Sequence, residues 1–209
     1  MKKNLLFIFR IFQFLKQKSF DFITQKITYV LLKIKFVEFG IGLKSSGVPR
    51  TYVHRYSTFR IGKNFTINNT VASNPIGRNF QCIFKVDKNA LLKIGDNVGM
   101  SGTTIVCLKE IIISDNVKIG GNTCIYDTDF HSLHAQERNQ INEDITKVNK
   151  KSVFIEKNVF IGAHVTILKG VYIGENSIIG ACSVVSKDIP ANEIWAGNPA
   201  KFIRKINDN

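Results

Sequence analysis

The chain has 209 residues, of which 44% are hydrophobic and 22% charged, and its formal net charge is +13. This length and composition fit one folded domain with an extension, and they exclude a disordered, collagen-like or disulfide-rich chain. The charge is uneven, because residues 1–60 hold 12 basic and two acidic side chains. Since these cations alternate with Leu, Ile and Phe, they favour a membrane surface over a nucleic acid as partner.

The first forty residues contain two apolar runs that basic residues interrupt. The first run begins at Leu5 and is broken by Arg10, and the second extends from Ile27 to Phe39 and is broken by Lys33. Both are well short of the ~20 apolar residues that a bilayer span needs. We therefore expect residues 1–40 to form two basic amphipathic helices. They would either hold a cytoplasmic protein peripherally at the inner face of the cell membrane, or pack on the main domain or a partner subunit.

An aliphatic residue recurs at every sixth position in the second half of the chain. The members of this series are Ile155, Ile161, Ile167, Ile173, Ile179 and Val185. The same phase extends back through Ile125, Ile119 and Ile113 and, after a slip of one residue, through Val106, Met100 and Ile94. A helix would spread such a repeat over all its sides, because six residues rotate it by about 240° net. We therefore predict an all-β solenoid in which three six-residue units, each a strand and a corner, close one triangular coil.

Four segments carry a resemblance to a known family. They are residues 125–131 (IYDTDFH), 159–170 (VFIGAHVTILKG), 179–190 (IGACSVVSKDIP) and 196–204 (AGNPAKFIR). With the repeat, they make the chain resemble the hexapeptide-repeat acyltransferases, in particular the maltose/galactoside O-acetyltransferases and the sugar acetyltransferases of polysaccharide gene clusters.

The resemblance implies a left-handed parallel β-helix over residues 41–204, preceded by the short helical extension and followed by a tail at 205–209. It also implies acetyl-CoA as the donor, no metal, and a saccharide as the acceptor. The expected assembly is a homotrimer with each active site between two subunits.

The repeat breaks between His131 and Ser152, which predicts one loop, residues 132–152, extruded at a corner. Loops that leave a regular scaffold in this way tend to carry function. His131 stands six residues after Ile125, where an inward aliphatic residue is expected. It is our candidate general base, able to take a proton from a sugar hydroxyl. The matching histidine has this role in the family.

Other ionisable groups near the break are candidates for binding the acceptor. We expect Asp127 to contact the acceptor or to orient His131, with a turn-forming role as an equal alternative. Asp129 is expected in the same pocket, and His134 and Arg138 would line it from the loop.

The resemblance also implies the residues of the donor side. The matching positions are Ala163, Ala181, Ser186, Lys187, Lys201 and Arg204. Ala163 matches a small residue beside the pantetheine arm, and the next three match the edge of the CoA groove. Lys201 and Arg204 match basic residues that meet the nucleotide phosphates, for which cations are suited.

Three alternatives to O-acetyl transfer remain open. Transfer to the nitrogen of an amino sugar would use the same base and groove. A metalloenzyme on the same fold would need zinc ligands, for which His131, His134 and His164 are the histidines at hand. A non-catalytic scaffold at the membrane would need neither the histidine-bearing loop nor the basic C-terminal turn.

Overall fold

The protein begins with one long helix and continues as short strands joined by corners. The structure, a computed structural model, describes residues 2–76, 81–142 and 144–207. The helix, α1 (Lys2–Ile34), is continuous. The expectation of two N-terminal helices is therefore wrong, because this stretch contains neither proline nor glycine to interrupt the helix.

The described strands fall into groups of three along the chain. They are β1 (Glu38–Phe39), β2 (Lys44–Ser46), β3 (Arg50–Val53), β4 (Thr58–Ile61), β5 (Thr66–Asn68), β6 (Ile83–Val86), β7 (Leu91–Ile94), β8 (Gly99–Ser101), β9 (Thr104–Cys107), β10 (Glu110–Ile113), β11 (Lys118–Ile119), β12 (Cys124–Tyr126), β13 (Val153–Ile155), β14 (Phe160–Ile161), β15 (Thr166–Ile167), β16 (Tyr172–Ile173), β17 (Ile178–Ile179) and β18 (Val184–Val185). Two short helices lie between β12 and β13, namely α2 (Ala135–Arg138) and a 3₁₀ helix (Ile145–Lys147).

Each group of three is one coil, and successive coils stack into three parallel sheets. Sheet A contains β1, β4, β7, β10, β13 and β16; sheet B begins β2, β5, β8, β11, β14, β17; and sheet C contains β3, β6, β9, β12, β15 and β18. Every strand thus pairs with the strand three further along, as in a three-sided parallel β-helix. Sheet B continues with β19 (Glu193–Ala196) and ends with the antiparallel β20 (Lys201–Lys205). Lys205, placed in the tail by the sequence, ends this strand, and residues 208–209 of that tail lie outside the described residues.

The predicted aliphatic series forms the core of the column. Ile155 pairs with Ile173, Ile161 with Ile179, and Ile167 with Val185, and all six are buried. One predicted member is wrong. Ile105 rather than Val106 pairs with Ile125, because only two residues separate β8 from β9 and the six-residue count slips there.

The three corners of the coil differ in sequence. The asparagine corner, between sheets A and B, carries a column of asparagines whose amides donate to one another at 2.8–3.1 Å, namely Asn64, Asn97, Asn116, Asn158, Asn176 and Asn192. All six have positive φ, a conformation that asparagine tolerates better than most residues. The glycine corner, between sheets B and C, is named for Gly120, Gly162 and Gly180. The open corner, between sheets C and A, holds the loop that contains α2.

A second irregular segment lies between β5 and β6, residues 69–82, so the expectation of one extruded loop is incomplete. It leaves the column at the glycine corner, and residues 77–80 lie outside the described residues. Its Ile76 side chain lies against Gly121, where an added Cβ would collide with it. The described part of this segment therefore packs alongside the glycine corner.

The C-terminal half of α1 covers the open end of the first coil. The Thr28 hydroxyl donates to the Ser45 hydroxyl at 3.2 Å, and Ser45 is buried on the inner side of β2. Leu32 joins the aliphatic core. Because these contacts seal the column, the helix belongs to the same folded unit as the coils.

Candidate active site

His131 lies just after the chain leaves the column at the open corner. It follows Phe130, whose φ of 65° is uncommon for a bulky residue and turns the backbone out of the coil. The Phe130 ring packs edge-on against Tyr126, with the centroids 5.1 Å apart. The His131 side chain is exposed. An imidazole in this position is accessible to a substrate from solvent.

Asp127 is buried, and its carboxylate binds the backbone of the preceding coil. It accepts hydrogen bonds from the N–H groups of Leu108, Lys109 and Glu110 at 2.7–3.0 Å. Together with burial, its charge also raises the pKa of the Cys107 thiol far above the ordinary value. Because this carboxylate is fully enclosed, it cannot contact an acceptor. The expectation that Asp127 binds the acceptor is therefore corrected. The turn-forming alternative describes it.

Asp129 forms an ion pair that joins two coils beside His131. Its Oδ1 lies 2.9 Å from Nζ of Lys169, and both side chains are about four-fifths buried. The other oxygen, Oδ2, is buried without a hydrogen-bond partner among the described residues. This buried, unpartnered oxygen lies two residues before the exposed His131 in the chain, and an unsatisfied polar atom of this kind calls for an explanation.

Lys169 was missed by the sequence analysis. It lies at the open corner of the coil after His131, in the turn that follows β15. Because Ile125 pairs with Ile167, writing the two coils one above the other places Lys169 beside Asp127 and its neighbours. A comparison of coils, rather than of single hexapeptides, would have found it.

The extruded loop is folded on itself by a small polar network. The Ser132 hydroxyl donates to Glu137 at 2.6 Å, and Lys147 lies 3.4 Å from the same carboxylate. The Ser132 hydrogen bond, followed by Lys147, lowers the pKa of Glu137. Arg138 donates to the carbonyls of Ser132 and Leu133. The loop is therefore an ordered element that closes on its own stem.

The two loop residues predicted in the acceptor pocket have different surroundings. His134 precedes α2, and its carbonyl accepts from the N–H groups of Glu137 and Arg138. Its ring is exposed. The guanidinium of Arg138 is engaged with the loop backbone, so this arginine positions the loop.

Four of the predicted donor-side residues lie at the two edges of sheet C, and the other two lie on β20. Ala163 and Ala181 occupy equivalent places on successive coils at the glycine corner, where the Ala163 carbonyl accepts from the N–H of Cys182. Ser186 and Lys187 follow β18 at the open corner, and both are exposed. The structure thus places these last two on the same edge as His131, and the alanines on the opposite edge.

The basic C-terminal residues lie on β20, which folds back along β19. Lys201 pairs with Ala196, and the guanidinium of Arg204 donates to the carbonyls of Lys205 and Ile206. Both side chains are exposed. Trp195 pairs with Ile179 and packs against the core, so it closes the last coil.

The three histidines considered as zinc ligands do not come together. His164 lies at the glycine corner, with its Nδ1 3.4 Å from the amide nitrogen of Asn122, whereas His131 and His134 lie at the open corner. Within the described ranges, no three His, Cys, Asp or Glu side chains form a group that could hold a metal ion. Within one chain, His131 and His164 therefore lie at opposite edges of sheet C.

Comparison with known proteins gives the class to which this fold and its repeat correspond. The family model for the bacterial transferase hexapeptide, described as six repeats, matches residues 152–187. This match confirms the resemblance to hexapeptide-repeat acyltransferases, which the six-residue ladder and its corners had indicated.

Particular relatives and solved structures are similar to this chain over longer stretches. A galactoside O-acetyltransferase of Lactococcus lactis is 43% identical over 106 residues, which are 51% of this chain and 48% of the relative. The chain spans about half the length of the first curated relatives it matches.

Two crystal structures, both below 25% identity, show the likeness of the fold. A hexapeptide-repeat acetyltransferase of Vibrio cholerae, solved with acetyl coenzyme A, has a TM-score of 0.53 at 24% identity, covering 88% of this chain and 79% of that one. An N-acyltransferase of Bacillus cereus, solved with dTDP and 3-hydroxybutyryl-CoA, has a TM-score of 0.65 at 22% identity, covering 85% and 87%.

Proposed function

We propose that this protein is an acetyl-CoA-dependent O-acetyltransferase that modifies a hydroxyl of a saccharide, in the synthesis of a surface polysaccharide or glycolipid. The observation that carries the proposal is the exposed His131 at the point where the column opens, beside the Asp129–Lys169 ion pair. The galactoside O-acetyltransferases among the relatives support the choice of a sugar hydroxyl. We also propose that the coil is left-handed, as in the hexapeptide-repeat family.

In this mechanism His131 acts as a general base without a covalent intermediate. Its imidazole takes the proton of the acceptor hydroxyl as the oxygen attacks the thioester carbonyl of acetyl-CoA. The C–S bond then breaks, the acetyl group stays on the sugar oxygen, and the imidazolium returns the proton to the CoA thiolate.

Asp129 is the acceptor-binding residue in this proposal, and Lys169 positions it. The Lys169 ammonium engages Oδ1 and fixes the carboxylate, whereas Oδ2 is buried without a hydrogen-bond partner among the described residues, so a sugar hydroxyl would reach it only where substrate binding exposes it. A hydrogen bond to a charged oxygen in a partly buried place is stronger than one between neutral groups. Substrate binding would satisfy the oxygen that the described residues leave without a partner.

A homotrimer would complete the site. Within one chain, Ala163 and Ala181 lie across sheet C from His131, so a donor bound along the glycine corner is separated from the base of the same chain. In a threefold assembly, the glycine corner of one subunit would face the open corner of the next. We therefore propose that donor and base come from adjacent subunits, with Ser186, Lys187, Lys201 and Arg204 along the CoA groove.

Transfer to an amino sugar is the second candidate. The likeness to the N-acyltransferase of Bacillus cereus supports it, since that fold carries N-acyl transfer. Acceptor assays with matched sugars that differ in one hydroxyl or amino group distinguish the two, because only one atom of the acceptor changes.

The experiment that tests the proposal compares His131→Ala with His54→Ala in an acetyl-CoA assay. His54 lies in a turn of the first coil, where its Nδ1 accepts from the N–H of Tyr56. Removing a general base lowers kcat by about 10²–10⁴-fold, while the KM for acetyl-CoA and the unfolding temperature should stay unchanged. His54→Ala should retain wild-type kcat. Retention of more than half of kcat by His131→Ala would refute the assignment, and absence of any transfer in wild type would favour the scaffold alternative.

We also propose that the protein lies in the cytoplasm, peripherally at the inner face of the cell membrane, through residues 1–40. Among the described residues no helix combines the length and hydropathy needed to cross a bilayer. The surfaces of α1 give this location a physical basis, as set out below.

A further inference from the structure

The half of α1 that covers the first coil turns a polar face towards the protein. Gln17 and Ser46 both donate to the Asp21 carboxylate, at 2.8 and 2.7 Å. One turn further on, Thr24 accepts from the N–H of Gly47 at 3.1 Å. A surface helix of a globular protein ordinarily turns its apolar stripe inwards. In this helix hydroxyl, amide and carboxylate groups contact the body beside the apolar contacts of Tyr29, Leu31 and Leu32.

The opposite side of the same half carries an apolar stripe that faces away from the coils. Its members recur at intervals of three or four residues and are 41–67% exposed, namely Phe20, Ile23, Ile27, Val30 and Ile34. Side chains at this spacing lie one above another on a single helix face. A continuous apolar surface of this kind on a folded protein indicates that something else covers it.

A row of lysines runs along one edge of the apolar stripe. The row consists of Lys26 and Lys33, which are exposed and separated by seven residues, close to two full helical turns. Lys18, also exposed, lies about 80° further round the helix. The acidic residue of this half, Asp21, lies on the inner face and is bonded to Ser46. The outward surface of the helix is therefore apolar and cationic, with no carboxylate.

The N-terminal half of α1 exposes large hydrophobic side chains on several sides, interrupted by Arg10, Gln13 and Lys16. Its exposed large hydrophobic residues are Leu5, Leu6, Phe7, Ile8, Phe9, Ile11, Phe12, Phe14 and Leu15. Within the ranges that the structure describes, no hydrogen bond or ion pair joins residues 5–16 to the coils. A helix of this length is about 16 Å long at 1.5 Å per residue, close to half of the ~30 Å hydrocarbon thickness of a bilayer.

We propose that α1 docks on an anionic lipid leaflet, with residues 5–16 and the apolar stripe in the hydrocarbon boundary and the lysine row at the headgroups. The inference deepens the proposed peripheral location, and it does not depend on the catalytic proposal. Lysines beside an apolar stripe can keep their stems in the apolar zone and their ammonium groups in water. A second copy of α1 is a poorer occupant, since packing stripe against stripe would also bring two cationic rows together.

The experiment measures co-sedimentation of the full-length chain with vesicles of phosphatidylcholine alone or with 30 mol% phosphatidylglycerol. Wild type should bind the anionic vesicles at least tenfold more tightly than the neutral ones, and high salt should weaken the binding. Lys26→Glu/Lys33→Glu should lower the partition coefficient about 25-fold or more, because each surface lysine contributes about fivefold. Phe9→Gln/Phe12→Gln should lower binding to both kinds of vesicle.

Matched controls place the same changes elsewhere on the molecule. Lys85→Glu/Lys93→Glu alters the charge equally on exposed strand positions, and Tyr52→Gln/Phe160→Gln removes two exposed rings from the sheets. Both should bind vesicles within twofold of wild type, and all variants should unfold at the wild-type temperature.

Two outcomes would overturn the inference. In the first, the wild-type protein does not bind anionic vesicles. In the second, Lys26→Glu/Lys33→Glu binds these vesicles as tightly as the wild-type protein does. If, without lipid, Phe9→Gln/Phe12→Gln also lowers the oligomeric state, the occupant is a second copy of the chain. Acetylation of a small soluble sugar, measured on the same samples, reports separately on the catalytic proposal.

Discussion

The asparagine corner and the open corner belong to the same coils, yet they differ in how much their length varies. In each of the six described coils, four residues connect sheet A to sheet B at the asparagine corner. At the open corner the connection ranges from two residues, between β9 and β10, to 26 residues, between β12 and β13. The same parallel sheets therefore tolerate large changes at one edge and none at another.

The difference follows from what holds neighbouring coils together at each corner. At the asparagine corner, each side chain accepts from the coil before it and donates to the coil after it, and the backbone adds bonds such as Asn116 N–H to Asp96 at 2.8 Å. An extra residue in one coil would break the bonds to both neighbours. The open corner has no such column. Its turns are stabilised one by one, for example by Asp127, and one of them lengthens into the extruded loop.

The largest expected effect comes from changing the length of the asparagine corner. Inserting two glycines after Asp115 should displace Asn116 and remove its hydrogen bonds to Asn97, Asn158 and the Asp96 carbonyl. At about 1 kcal/mol each, with further loss from the neighbouring coil, we expect a destabilisation of about 4 kcal/mol. Urea unfolding with an unchanged m-value measures it.

The matched control inserts the same two glycines after Gln140, in the extruded loop. Closing a slightly longer loop costs about 0.5 kcal/mol or less, so the urea midpoint should hardly move. Equal destabilisation by both insertions would contradict the distinction between the corners.

Substitution within the asparagine column separates its hydrogen bonds from its backbone conformation. Asn116→Ala should destabilise the protein by about 3 kcal/mol, because it removes two side-chain hydrogen bonds and places alanine at a φ of 60°. Asn116→Gly loses the same two bonds without this strain and should cost about 2 kcal/mol. Asn64→Gly, at the end of the column with one such bond, should cost about half as much. Equal costs at Asn64 and Asn116, again by urea unfolding, would argue against the ladder.

A smaller effect is expected from the ion pair at the open corner, and it should appear in substrate binding. Lys169→Met should raise the KM for the acceptor several-fold, because Asp129 loses the partner that directs its carboxylate. Stability should also fall by about 1–3 kcal/mol, because the substitution leaves a largely buried carboxylate without its partner. Steady-state kinetics with varied acceptor at saturating acetyl-CoA measures the first effect.

The control is Lys157→Met, which removes the Lys157–Glu175 pair of 3.3 Å at the asparagine corner. It should leave the KM for the acceptor unchanged. A fall in kcat without a change in KM for Lys169→Met would assign Lys169 a role other than positioning Asp129.

The regular part of the fold could be predicted from the sequence because the pattern that produces it lies within six residues. A six-residue spacing of aliphatic residues specifies both the strand and the corner, so the ladder from Ile155 to Val185 could be identified without coordinates. The prediction slipped at Val106 for a related reason. Where the corner between β8 and β9 shortens to two residues, counting by six selects Val106, the neighbour of Ile105, which pairs with Tyr126 instead of Ile125.

Only part of the candidate site could be predicted from the sequence, because its contacts join residues that are distant along the chain. Asp127 binds N–H groups 17–19 residues earlier, and nothing in its own neighbourhood distinguishes a buried carboxylate from an exposed one. The ion pair of Asp129 with Lys169 spans 40 residues across the extruded loop. Position and residue type sufficed to single out His131, whereas the partners of its neighbours required the stacked coils.

The way the column ends has a consequence for the behaviour of the protein at high concentration. A parallel β-helix exposes unpaired backbone groups at both ends, and such edges can add strands from other molecules. In this chain α1 covers the first coil, while at the other end Trp195 closes the core and β20 reverses direction along β19. On sheet B, neither end therefore offers a parallel template to another column. The protein can therefore carry a long stack of nearly identical strands and still resist growing into fibres.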